Sequence, residues 1–191
     1  KLKNDITFNV GLRYEQTELN LSSDNDGEIL ERSRKNIFHS ISVNKKWKEK
    51  YSFGISYNRR INRPGFQTLA PAFYFLDNNT VLTGNINAIP GITSTYGINI
   101  GISGLKINLS YANEKDPLAF GQPELNQTRN LLMLRPLNID RREEYNLNLS
   151  FPINITTFWT SRYNVNMTRR IENGILQGNV INNVKGNFIT G

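Results

Sequence analysis

Residues 96–111, YGINIGISGLKINLSY, carry the clearest structural pattern of this chain. Large apolar residues occupy every second position from Tyr96 to Ile102, with glycine or asparagine between them. After Ser103-Gly104 the alternation resumes and continues to Tyr111. A period of two is the side-chain period of a β-strand, so each half predicts a strand with one apolar and one polar face. The glycine-containing turn between the halves predicts an antiparallel hairpin.

The same alternation recurs along nearly the whole chain, and no stretch shows a convincing helical period. We therefore predict an all-β fold, an antiparallel meander of about eight strands forming part of a transmembrane β-barrel. The predicted strands lie near residues 5–17, 37–47, 51–60, 93–103, 105–114, 142–152, 155–170 and 175–190.

The connections between these strands favour a barrel over a soluble sheet with one buried face. Long polar connections are predicted at residues 18–35, 61–92 and 113–141, and tight turns at 48–50, 103–104 and 152–154. Tight turns on one rim and long loops on the other are typical of outer-membrane barrels. The last predicted connection, residues 171–174, is short although it falls on the long-loop rim.

The composition permits this reading and excludes several others. The mean hydropathy of −0.48 would normally indicate a soluble protein, but barrel strands alternate and average out as hydrophilic. The absence of cysteine excludes disulfides and thiolate chemistry. The net charge of +7 comes from basic residues scattered over the whole length, which does not indicate nucleic-acid binding. The chain starts at Lys1 without a signal sequence, so a processed product or a segment of a longer protein is expected.

Aromatic residues lie near the ends of several predicted strands. A membrane barrel carries aromatic girdles at both interfaces, whereas ordinary β-propensity explains the same residues without a membrane. The residues concerned are Tyr14, Trp47, Tyr51, Tyr57, Tyr111, Tyr145 and Trp159.

A family resemblance is carried by YNRRINRPGFQTLAP, residues 57–71, followed by FYFLD at 73–77. This run resembles the Y-S-R-R-I-N-R-P-S-Y-Q-D-L-N-P block of the outer-membrane β-barrel family related to TonB-dependent receptors. GNINAIPG at residues 84–91 stands where that family has G-N-P-N-L-K-P-E, and GLRYEQT at 11–17 is similar to its G-L-R-Y-E-x-T strand. Residues 141–163 resemble its hairpin with a Trp-bearing second strand.

The resemblance implies a barrel of roughly 22 strands with a plugged lumen in the bacterial outer membrane. Such receptors import large or scarce nutrients with energy that an inner-membrane complex delivers through the plug. Residues 1–191 would then be a single segment of the barrel wall, without plug domain or signal peptide. The implied partners are outer-membrane lipid, the remaining strands and plug of the parent chain, and the energy-coupling complex.

No enzymatic activity, cofactor or metal site is predicted. His39 is the only histidine and has no second imidazole or thiolate to share a metal with. Glu143 and Glu144 are adjacent in a strand and point to opposite faces, so they do not form a catalytic pair. The run Asp24-Asn25-Asp26-Gly27-Glu28 lacks the spacing of a calcium loop and is interpreted as a polar turn.

The candidate contact residues are Arg59, Arg60 and Arg63 at the end of one strand, and Phe66 and Tyr74 in the loop that follows. The arginines suit an acidic ligand or lipid phosphate, but pairing with carboxylates inside the barrel is the favoured interpretation. The loop aromatics either contribute to a ligand-binding surface or pack on their own rim.

Three functions remain open on the sequence. The leading one is a segment of a receptor or transporter wall, which predicts open sheet edges. A small self-closed barrel with a structural or adhesion role predicts that residues 5–17 pair with residues 175–190. A soluble β-sandwich binding module predicts that the apolar faces pack on each other.

Overall fold

The structure is a computed structural model, and it describes residues 5–23, 27–48, 50–120, 124–128, 130–176 and 179–190. It consists almost entirely of strands, with one short helix. In chain order the elements are β1 (Ile6–Ser23), β2 (Gly27–Trp47), β3 (Tyr51–Asn62), α1 (Phe66–Leu69), β4 (Phe73–Phe75), β5 (Thr80–Thr83), β6 (Gly91–Ile102), β7 (Leu105–Lys115), β8 (Leu118–Phe120), β9 (Glu124–Asn126), β10 (Leu131–Leu134), β11 (Pro136–Asn138), β12 (Arg141–Asn154), β13 (Thr160–Leu176) and β14 (Asn179–Thr190).

Eight long strands form one sheet, here called the wall, in the order β1-β2-β3-β6-β7-β12-β13-β14. Every pair of neighbours is antiparallel. The predicted all-β meander of about eight strands is therefore confirmed. Within the described residues β1 and β14 each have a single neighbour, so both edges of the wall are open.

The hairpin between β6 and β7 shows how the sequence sets the register. Ser103 and Gly104 both have positive φ angles, 46° and 98°, as a two-residue type I′ turn requires. This turn pairs Ile102 with Leu105. The register that it sets places the alternating apolar residues of β6 opposite those of β7, on the same face of the sheet.

The wall has two different faces. The face here called the apolar face carries the large side chains, and many of them are exposed: Val10 is 78% and Leu12 is 77% accessible. The opposite, polar face carries mostly serine, asparagine, threonine and glycine in the half nearer the tight turns. Small residues let the polar side chains lie flat there: a Cβ at Gly97 would come within 2.6 Å of the Ser56 hydroxyl.

The band of apolar side chains runs obliquely across the strands. One row of directly paired residues contains Val10, Ile41, Tyr57, Tyr96, Tyr111, Tyr145, Arg169 and Asn187. In β1 the uninterrupted apolar run reaches Tyr14, above this row, whereas in β14 the apolar limit is Ile189, below it. The upper limit of the apolar side chains thus falls by about six residues, or roughly 20 Å, from one edge of the wall to the other. Over a sheet width of roughly 34 Å, this slope corresponds to strands tilted by about 30°.

Three predicted connections were wrong. Residues 18–35 are largely strand, because β1 and β2 continue as a long hairpin to Ser23 and from Gly27. Residues 152–154 belong to β12, and the turn follows at 155–159. Residues 171–174 belong to β13, where the register shifts between Glu172 and Gly174, so the residues expected to turn form a bulge instead.

The two other long loops fold together into a small unit, here called the cap, formed by residues 63–90 and the described part of 116–140. Strands β4, β5, β10 and β9 form one four-stranded sheet, and β8 pairs with β11. The most deeply buried apolar residues of the described chain lie mainly in this cap, where Val81 is 0% and Leu69 is 3% accessible. The sequence predicted these segments as loops, and their strands were missed.

Candidate functional site

Asn138 ties the two halves of the cap together. Its amide Nδ2 donates to the carbonyl oxygens of Ile89 at 2.9 Å and of Asp116 at 2.7 Å. Its Oδ1 accepts from the backbone N–H of Ile89 at 2.9 Å. Asn85 makes a parallel connection, donating from Nδ2 to the Pro136 carbonyl at 2.9 Å. One loop is thereby fixed to the other at the point where both leave the wall.

A charged cluster on the polar face joins the cap to the wall. Arg142 donates from Nε to Glu172 at 2.6 Å and from Nη1 to Glu114 at 3.2 Å. Its Nη2 donates to the carbonyl of Leu118 in the cap at 3.1 Å. Because Glu114 is buried, its charge depends on Arg142 and on the side-chain amide of Asn62 for compensation. The cluster therefore fixes the position of the cap above the polar face.

The three candidate arginines lie in three different places. Arg63 forms an ion pair with Glu15 and also donates to the Thr17 hydroxyl at 3.1 Å, which brings the start of the cap back against β1. This is the carboxylate pairing that the sequence favoured. Arg60 lies exposed on the polar face, and Arg59 lies on the apolar face, where its Nε has no partner among the described groups.

The two candidate aromatics stay at the cap surface. Phe66 is 70% and Tyr74 is 49% accessible, so neither belongs to the cap core. They share this exposure with several other apolar side chains of the cap: Phe73, Phe75, Leu76, Phe120, Leu125 and Leu132. An exposed aromatic surface can stack on a ligand.

Four tyrosines form a continuous row across the apolar face. Ring centroids are 5.0 Å apart between Tyr57 and Tyr96, 6.1 Å between Tyr96 and Tyr111, and 4.9 Å between Tyr111 and Tyr145. Tyr96 was not among the residues predicted for an aromatic girdle, although it lies as near an end of its predicted strand as Tyr57, Tyr111 and Tyr145 do. Only the register of β3, β6 and β7 shows that it continues the row.

Sequence reasoning also missed Glu114, Asn138, Arg142 and Glu172. Charged residues on the long-loop side of consecutive strands were a usable signal for the Arg142 cluster. For Asn138 the sequence contains no signal beyond an asparagine within a predicted loop.

The groups considered for catalysis or metal binding do not assemble. His39 packs its ring 5.2 Å from that of Tyr57 on the apolar face. Glu143 accepts from the Tyr111 hydroxyl at 3.0 Å, while Glu144 on the other face accepts from Arg170 at 2.8 Å, so the predicted opposition of the two is confirmed. In the part of the chain that the structure describes, no group of three potential metal ligands occurs. Residues 24–26, interpreted as a polar turn, lie outside that part.

Asp77 stabilises the turn between β4 and β5 in the cap. Its carboxylate accepts from the backbone N–H of Asn79 at 2.7 Å. This hydrogen bond, supported by the Thr80 hydroxyl, lowers the pKa of Asp77 below its usual value of 3.8. The turn is therefore held by an ionised group under ordinary conditions.

Comparison with known proteins adds the context of the fold. The model of the outer membrane protein beta-barrel family matches residues 1–190. Among solved structures, the chain is similar to the siderophore receptor PirA from Pseudomonas aeruginosa, with a TM-score of 0.55 and 12% identity over 88% of this chain. The chain spans 42% of the length of that receptor. No curated protein matches the chain.

These matches agree with the wall geometry described above. None of the helices among the described residues has the length and apolar character needed to cross a bilayer. The similarity to PirA is one of fold. The chain belongs to the outer membrane protein β-barrel family, and its place is the bacterial outer membrane.

Proposed function

We propose that this chain is part of the barrel wall of an outer-membrane receptor that takes up a ligand by a TonB-dependent mechanism. The observation that carries the proposal is the eight-stranded wall, whose two edges are open within the described residues and whose apolar face is exposed. Unpaired strand edges are costly in lipid, so such a wall needs further strands beside it. The similarity in fold to a siderophore receptor supports a role in uptake.

The cap is the part that meets the ligand in this proposal. Its exposed aromatic side chains, including Phe66 and Tyr74, form the first contact, and Arg60 on the polar face lies below it. The Arg142 cluster holds the cap to the wall but takes no part in binding. No chemical step is assigned to any residue.

Two labelling sites test the orientation of the wall. The chain contains no cysteine, so a single introduced thiol is a unique label within it. Tyr74→Cys in the cap should react with a membrane-impermeant maleimide on intact cells, because long loops face the exterior. Trp159→Cys at the tight-turn rim is the matched control and should react only after the outer membrane is permeabilised. Equal labelling of both sites in intact cells would contradict the orientation.

Energy coupling needs a separate experiment. The native polypeptide is cross-linked in cells and then purified through an affinity tag placed at Asn78, in the exposed turn of the cap. Under the proposal, the purified polypeptide is cross-linked to the energy-coupling protein TonB. This cross-linked product should disappear when a protonophore removes the energy supply of the cell. If energised cells yield the intact barrel without the cross-linked product, the transport part of the proposal is wrong while the wall remains.

A further inference from the structure

The apolar face carries a pair of like charges just beyond its apolar limit. Arg169 in β13 lies directly opposite Asn187 of β14, and Ile171 lies opposite Lys185. Arg169 and Lys185 are therefore diagonal neighbours on the same face, roughly 7–8 Å apart at the backbone. Both side chains are exposed, and within the described chain neither has a hydrogen-bond or ion-pair partner.

Like charges on neighbouring strands repel each other, and an anion bound between them would offset that repulsion. The adjacent arginine shows the contrast. Arg170 points to the polar face and is neutralised by Glu144, whose carboxylate it reaches from Nε at 3.1 Å and from Nη2 at 2.8 Å. Glu143 is the diagonal neighbour of Arg169 on the other side, and its carboxylate is already bound by Arg141 at 2.8 Å and by Tyr111.

An apolar depression begins at the same place. It has a volume of about 1020 Å³ and extends over the apolar face from Arg169, through Met167 and Leu147, to the tyrosine row. Its lining is almost entirely apolar, and its volume lies just above the range of roughly 300–1,000 Å³ of small-ligand sites. Cations at one end of an apolar depression match a molecule with an anionic head and hydrocarbon chains.

We propose that Arg169 and Lys185 bind a phosphate group of a glycolipid in the outer leaflet, whose acyl chains lie in the depression below. The long-loop rim faces the exterior, so the lipid comes from the outer leaflet. Guanidinium and ammonium groups at a membrane surface are the usual ligands of lipid phosphate. A second cation pair, Lys115 directly opposite Arg141, extends the charged border to β7. The inference does not depend on the uptake function.

The test measures retained lipid on the native protein purified from outer membranes. Diphosphoryl lipid A, its dephosphorylated form and phosphatidylglycerol are offered separately, and bound lipid is counted by native mass spectrometry. The wild type should retain the phosphorylated glycolipid in preference to both others. Arg169→Gln with Lys185→Gln should lower its retention about fivefold per charge, or about 25-fold together.

Lys45→Gln is the matched control, since it removes one charge from the same face near the tight-turn rim and should leave retention unchanged. The exchange Arg169→Lys with Lys185→Arg keeps both charges and should retain lipid within about twofold of the wild type. On the wild type itself, retention should fall as ionic strength rises.

Equal retention by the double Gln variant and the wild type would overturn the proposal. Equal retention of the dephosphorylated lipid would overturn it as well, and preference for phosphatidylglycerol would show that the source is a phospholipid instead. The Gln variant removes a repulsion, so in lipid-free detergent it should be at least as heat-stable as the wild type. If the Gln variant fails to fold, the proposal is tested by the salt dependence of retention on the wild type and by the retention of lipid on the exchange variant.

Discussion

The wall and the cap are built from one chain but keep their apolar side chains in opposite places. In the wall, Val10, Leu12 and their neighbours point away from the sheet, and the backbone ladder provides the cohesion. In the cap, Leu69, Val81 and Ile139 are enclosed, as in a water-soluble domain. Two solvents therefore shape this protein: the wall is complete only in lipid, whereas the cap is stabilised by burial from water.

The largest effect is expected where wall and cap meet. Arg142→Ala leaves the buried Glu114 without its guanidinium partner and breaks the bond to the cap at Leu118. Removing one partner of a buried ion pair costs about 3–5 kcal/mol. The cost in stability is measured by unfolding the protein in detergent. The unfolding is monitored on gels of unboiled samples, where the folded barrel migrates faster than the unfolded chain. The control Arg170→Ala removes a more exposed pair and should cost about 1 kcal/mol or less. Equal losses would show that the cap is not held through Arg142.

The next prediction separates the two faces of the wall. Leu109→Arg places a charge in the centre of the apolar face, and an arginine facing lipid near the midplane costs about 2–4 kcal/mol. Asn108→Arg places the same charge on the polar face of the same strand and should be tolerated. Refolding into lipid vesicles at increasing urea measures both. If the two variants were equally stable, the assignment of the apolar face to lipid would be wrong.

A smaller effect is expected from the cap core. Leu69→Ala removes a buried side chain from a one-turn helix that can partly collapse, so a loss of about 2–3 kcal/mol confined to the cap is expected. Limited proteolysis should then cut residues 63–90 faster, while the wall still migrates as a folded barrel. Leu12→Ala, on the exposed apolar face, serves as the control. Cleavage unchanged in Leu69→Ala would argue that the cap has no cooperative core.

The smallest effect concerns pH and the cap alone. The pKa of Asp77 is lowered in the folded state, so its contribution is fully present above the unfolded value of about 3.8 and is lost as pH falls through the folded value. Proteolysis of the β4–β5 turn with an acid-active protease should therefore accelerate only below about pH 4. Asp77→Asn keeps an oxygen that accepts from Asn79 and should lose this pH dependence. Acceleration that persists in Asp77→Asn would assign it to another carboxyl group.

The sequence predicted the wall where side chains alternate, because alternation reports a boundary between two solvents. It failed where that boundary ends. Beyond Tyr14 the same face continues with the polar residues Gln16, Glu18 and Asn20. Leu19 nevertheless pairs with Arg32 in the ladder, because backbone hydrogen bonds need no apolar face. Pro152 suggested a turn, but it lies beyond the last residue that β12 pairs with β7, where a missing N–H is tolerated.

The site was less predictable than the wall for a different reason. The sequence predicted that the rim arginines pair with carboxylates, as Arg63 does, but it did not identify the partner, because charged residues at a rim usually pair with whichever opposite charge lies near. The Arg142 cluster, however, exists only because β7, β12 and β13 place Glu114, Arg142 and Glu172 in one row. Register and the packing of two distant loops are properties of the folded chain, and no local pattern encodes them. The bulge before Gly174, which packs against Ile139 of the cap, was missed for the same reason.

The oblique course of the apolar band determines how much of the barrel circumference the wall occupies. A strand tilted by about 30° occupies about 5.5 Å of barrel circumference, so the eight strands contribute an arc of about 44 Å. The loops of the cap leave from β3, β6, β7 and β12, which together account for about half of that arc. The cap therefore shelters only the middle of the arc, and the stretches beside it are bordered by the β1–β2 hairpin on one flank and by β13 and β14 on the other.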